Sequence, residues 1–223
     1  MMKVSEKNKP VVTVVSILLI IASLTSIYFT QCSGTGTPKL DLTPYQTMGE
    51  VTAQETSKML ENKGQIVLMT MDLQKQPNVV IDASLKSFQE AIKKTGVAVK
   101  AIEAYSPGTN DMEFMMMESL PPSFYIRTVE KHSDADALVS FLGAPRLTDE
   151  QLRALPQKLP KLVAIASFGP PFEIKKLFEE RVLNLAIVPR MTPPDPNKKP
   201  STPREKFDAN FQVVTSADAG SLP

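Results

Sequence analysis

The chain opens on an apolar run and then settles into alternation. Val11 to Phe29, VVTVVSILLIIASLTSIYF, holds no charged residue, and about 17–25 apolar residues suffice to cross a bilayer as a helix. Beyond it, short apolar runs alternate with segments whose apolar positions recur at helical spacing. Met48 to Asn62 places Met48, Val51, Met59 and Leu60 on a helical period and stops at Lys63-Gly64, a C-capping pair. Gln65 to Met71 reads as a first strand. Ala83 to Thr95 puts Leu85, Phe88 and Ile92 on one helix face and ends at Gly96. Val97 to Ala104 is a second strand. Asp111 to Leu120 reads as a short methionine-rich helix stopped by Pro121-Pro122, and Asp136 to Leu142 as a third strand. Thr148 with Gln151 forms a capping box ahead of a short helix. Lys161 to Ser167 is a fourth strand, Pro171 to Arg181 a helix with proline in its first turn, Leu183 to Val188 a fifth strand and Phe211 to Thr215 a sixth.

Strands that are apolar on both faces and separated by amphipathic helices predict a parallel sheet covered on both sides. Right-handed crossovers then give an α/β domain with a single doubly wound, mostly parallel, Rossmann-like sheet. The expected organisation is a cytoplasmic N-terminus over 1–10, a transmembrane anchor or signal over 11–31, a linker over 32–40 and an extracytoplasmic α/β domain over 41–223. Within that domain, Met191 to Arg204, MTPPDPNKKPSTPR, is a proline-rich excursion between strands five and six. Its prolines argue against helix and central strand, and no aromatic or arginine pattern in it fits a specific reader.

Charge orients the apolar run. Lys3, Lys7 and Lys9 precede it with only Glu6 opposing them, the positive-inside pattern. The N-terminus is therefore expected in the cytoplasm and the domain outside it, in the periplasm or beyond the cell. A cleaved signal has a shorter apolar core, about 7–15 residues, and a small-residue cleavage site; Thr30-Gln31-Cys32 is a poor one. Lipidation at Cys32 is the third alternative, and all three export the domain. Cys32 is the only cysteine, so no internal disulfide can form. The whole chain carries +1, of which residues 1–40 hold +3, which leaves −2 for the exported part. A near-neutral domain without a basic patch argues against a nucleic-acid partner.

The chemistry-bearing residues do not assemble into a catalytic pattern. His132 is the only histidine, in a polar stretch, and makes neither a triad nor a zinc site. No G-x-S-x-G, G-x-G-x-x-G or Walker-type loop occurs. Met115-Met116-Met117 cannot converge on copper from a regular helix, because adjacent positions point apart; packing is the plainer role. The expectation is a non-enzyme without metal or cofactor. In an open parallel sheet, ligands bind beyond the carboxyl ends of the strands. The candidate ligand-binding residues are therefore Asp72, Ser106, Arg146, Phe168 and Arg190, each just past a predicted strand. Asp72 suits an amine, hydroxyl or metal, or simply caps its own loop. Arg146 and Arg190 suit a carboxylate or phosphate, or pair with Asp72, Asp149 or Glu173.

The stretch MGEVTAQETSKMLENKGQIVLM, followed by Ser87-Phe88-Gln89 on a helix and a strand starting after Gly96, resembles a recurring block of the type I periplasmic-binding-protein superfamily. There an amphipathic helix, a Lys-Gly turn and an x-I-V-L strand are followed by a helix carrying Phe. The resemblance runs from Asp41 to Leu142 and implies an extracytoplasmic receptor lobe that binds a small solute for transport or sensing. Such receptors close two lobes on the ligand, whereas this sequence has material for one. A second copy or an envelope protein would then complete the site, with contacts through Phe168, Pro170 and Pro171 in the loops ending strands three to five. The competing reading is a non-catalytic interaction or scaffold protein of the bacterial cell envelope.

Overall fold

The computed structural model describes residues 40–106, 119–165, 171–190 and 200–221. The predicted membrane segment Val11–Phe29, Cys32, the linker before Leu40, Met115–Met117 and Phe168 lie outside these residues. Among the described residues, no helix is long and apolar enough to cross a membrane.

Helix α1 (Thr43–Met59) leads into β1 (Gly64–Met71), α2 (Val79–Ile92) and β2 (Val97–Tyr105). Then follow α3 (Pro122–Lys131), β3 (Ala137–Ser140), α4 (Asp149–Ala154), β4 (Lys161–Ile165), α5 (Pro171–Glu179), β5 (Leu183–Pro189), α6 (Pro203–Asn210) and β6 (Phe211–Thr215). Among the described residues six strands form one sheet in the order β2-β1-β3-β4-β5-β6. All neighbours pair in parallel except β5 and β6, which are antiparallel. The chain runs one way from β1 to β2 and the other way from β2 back across to β3, so strand order reverses at β1/β3.

The two faces of the sheet bury separate cores. Along β1, Ile66 and Leu68 point to one face and Val67 and Met69 to the other, and all four are fully buried. The first face takes Met48 and Val51 of α1, Leu85 and Phe88 of α2 and Phe207 of α6. The second takes Phe124, Tyr125 and Val129 of α3 with Ile174, Leu177 and Phe178 of α5. Helices on both faces make the sheet doubly wound, as the alternation predicts. The buried stripe of α1 is unusually small and polar, including Gly49, Thr52, Thr56 and Ser57. A Cβ at Gly49 would lie 2.1 Å from the Ser84 carbonyl oxygen. The two helices thus touch backbone to backbone, and the Ser84 hydroxyl donates to the Tyr45 carbonyl at 3.0 Å.

Several expectations are corrected. Pro121-Pro122 begins a helix that the sequence did not predict, because proline fits the first helical position, where its missing N–H has no intrahelical partner. Leu120, expected at the end of the methionine-rich helix, instead bridges to Pro145; residues 111–118 lie outside the described residues. His132 is not in a polar loop. It closes α3 and is buried, with Nε2 2.8 Å from Glu103 Oε1 on β2. Lys131 Nζ, also 2.8 Å from that oxygen, is the main influence holding the Glu103 carboxyl below its usual range. The proline-rich stretch is not free of helix at its end: Pro203 starts α6 behind a Thr202–Glu205 capping box. Finally, β2 is not covered on both faces. As an edge strand it leaves Val99 37% and Ile102 48% exposed. Its apolar spelling reflects β propensity more than depth.

Candidate functional site

Every parallel strand of the sheet delivers its carboxyl end to one edge, so Asp72, Ser106, Arg146 and Arg190 all lie along it. Asp72 follows β1 directly, and its backbone N–H donates to the Tyr105 carbonyl at the end of β2, 2.8 Å away. That bond carries the sheet ladder one residue past the strand and holds Asp72 beside Ser106. The Ser106 hydroxyl donates to Asp72 Oδ2 at 2.8 Å. Lys75 Nζ stands 3.3 Å from the same oxygen and 3.4 Å from the Ser106 hydroxyl. Asp72 Oδ1 accepts from the backbone N–H groups of Gln74 at 3.2 Å and Lys75 at 3.4 Å. The Ser106 hydroxyl first, then the Lys75 ammonium and the two backbone donors, hold the Asp72 carboxyl below the usual carboxylate range.

The remaining candidates sit along the same edge. Arg146 follows β3, half-buried and already engaged within the chain. Arg190 follows β5, its backbone N–H bonded to the Asn210 carbonyl at 2.9 Å and its side chain exposed. Of the suggested acidic partners, Asp72 pairs with Lys75 and Asp149 with Lys176 at 2.6 Å, while the Glu173 side chain lies outside the described ones. The structure thus brings Asp72 and Ser106 into contact, and adds Lys75, which sequence reasoning missed. The i, i+3 spacing of Asp72 and Lys75 in a polar turn was the available signal. At the switch point itself, the Phe141 N–H donates to the Met69 carbonyl at 2.9 Å, and Leu142 N–H to the Ser140 hydroxyl at 3.2 Å. These bonds fix the β3 loop next to the Asp72 loop. Among the described residues no group of three metal-ligating side chains comes together.

A groove of about 470 Å³ lies at the opposite, amino edge, between Met59, Leu60, Gly64, Asp136 and Lys161. It is formed where helix C-termini return to the strands. Lys161 Nζ already donates to the Met59 carbonyl there at 3.1 Å, and Asp136 Oδ2 accepts from Gln65 N–H at 2.7 Å. Those groups are spent on closing the turns, and doubly wound sheets bind at the other edge.

No family model matches the sequence, and no curated protein matches it. The fold has clear counterparts among solved structures. An arabinose-binding protein from Geobacillus stearothermophilus is 13% identical, with a TM-score of 0.52 over 80% of this chain and 63% of that one. An ABC-transporter solute-binding protein from Burkholderia graminis, in complex with D-arabinose, is 14% identical, with a TM-score of 0.51 over 79% and 61%.

The domain has the fold of the type I periplasmic binding proteins.

A sugar-binding protein of a sugar ABC transporter from Bacillus halodurans agrees, at 9% identity and a TM-score of 0.50 over 80% and 64%. The chain spans less than two thirds of the length of each of these neighbours. In periplasmic-binding-protein terms, the strand order and the antiparallel last strand build one lobe, and the Asp72–Ser106–Lys75 cluster lies on its carboxyl edge, one strand from the β1/β3 reversal.

Proposed function

We propose that this protein is a membrane-anchored, extracytoplasmic solute-binding domain that holds a small molecule at the carboxyl edge of its sheet for transport or sensing. The observation that carries the reading is the Asp72–Ser106–Lys75 cluster on that edge of a periplasmic-binding-protein lobe. It joins the loops of two adjacent strands and stays open to solvent, as a binding surface must. Arg146 and Arg190 extend the edge across β3 and β5. The neighbours' own ligands, arabinose among them, support a small polar solute as the class. The uncharged run Val11–Phe29 behind three lysines supports an uncleaved anchor with the domain outside the cytoplasm.

Ligand binding to the folded state alone raises stability by mass action. The full chain in detergent is therefore expected to melt at a higher temperature with at least one solute from a panel of sugars, amino acids and organic acids. Ser106→Ala is expected to reduce that shift. A flat response to every solute class would remove the solute-binding reading.

A further inference from the structure

We draw no further inference here: the strongest candidate, the apolar face that the edge strand β2 leaves open at Val99 and Ile102, carries nothing, since the charged residues of that strand, Lys100 and Glu103, already pair within the chain and nothing in the structure shows what covers it.

Discussion

The two edges of this sheet are built to opposite specifications. At the amino edge, helices return to strands through turns in which nearly every polar group is spoken for. α1 ends in a Schellman motif, with Asn62 N–H on the Ser57 carbonyl at 2.8 Å and Glu61 N–H on that of Lys58 at 3.1 Å. α5 ends in another, Val182 N–H on the Leu177 carbonyl at 2.9 Å and Arg181 N–H on that of Phe178 at 3.0 Å. At the carboxyl edge the connections carry exposed charges, and the Asp72 cluster closes on itself with Lys75 left largely exposed. The contrast teaches that one edge supplies stability and the other is free to vary, which is how a scaffold separates folding from recognition.

The amino edge is the more costly to disturb. Gly64 has φ +107°, a conformation side chains rarely adopt, and a Cβ there would lie 2.6 Å from Asp136 Oδ2. That carboxylate cannot step aside freely, because it also accepts from Gln65 N–H at 2.7 Å. Gly64→Ala is expected to lower unfolding free energy by about 2–3 kcal/mol, read from the urea midpoint. A loss below about 1 kcal/mol would show this edge to be as pliable as the other and would break the contrast.

A smaller effect runs in the opposite direction. The left-handed C′ positions of both Schellman motifs carry side chains, Glu61 at φ 55° and Arg181 at φ 57°. A left-handed residue with a Cβ costs about 1–2 kcal/mol, of which glycine gives back part through its greater chain entropy. Glu61→Gly and Arg181→Gly are each expected to stabilise by about 0.5–1 kcal/mol. The Glu61–Lys63 pair lost in the first is almost fully exposed and contributes little. Destabilisation by both variants would mean that the side chains, not the turns, hold this edge.

The same difference decided what the sequence made legible. Strand cores such as IVLM in β1 and LVAI in β4 were readable because complete burial on both faces leaves an unbroken apolar run. The Thr148–Gln151 capping box was readable because it is local. Helix α3 was lost because prolines mark helix starts and stops alike, and only packing of Phe124, Tyr125 and Val129 against the sheet decides between them. The depth of β2 was lost because edge and central strands share a vocabulary. At the candidate site, position was legible and partnership was not. Strand ends located Asp72 and Ser106, yet their contact depends on β1 and β2 being neighbours, a fact of topology across 34 residues. Topology also revealed that the amino-acid chemistry of Asp72 is directed inward.

The smallest expected effect is the one that most sharpens the contrast, since it asks whether the carboxyl-edge cluster contributes to folding at all. The Asp72 carboxyl is held below its usual range, chiefly by the Ser106 hydroxyl. A carboxyl with a depressed folded pKa adds stability above its unfolded value, near 3.8, and that contribution fades as pH falls through the folded value. Asp72→Asn should therefore be slightly less stable than the parent at neutral pH. The gap should close on acidification below about pH 4, where the parent's carboxylate takes up its proton. Urea midpoints of parent and variant at several pH values measure it, and differencing the two cancels the other depressed carboxyls, Glu103, Asp134 and Asp149. Because the Asp72 carboxyl pairs with a largely exposed lysine, the neutral-pH gap should be far smaller than the loss at Gly64. A gap rivalling that of Gly64→Ala would make the cluster part of the scaffold. A small gap that closes in acid leaves the cluster outside the scaffold that holds the fold.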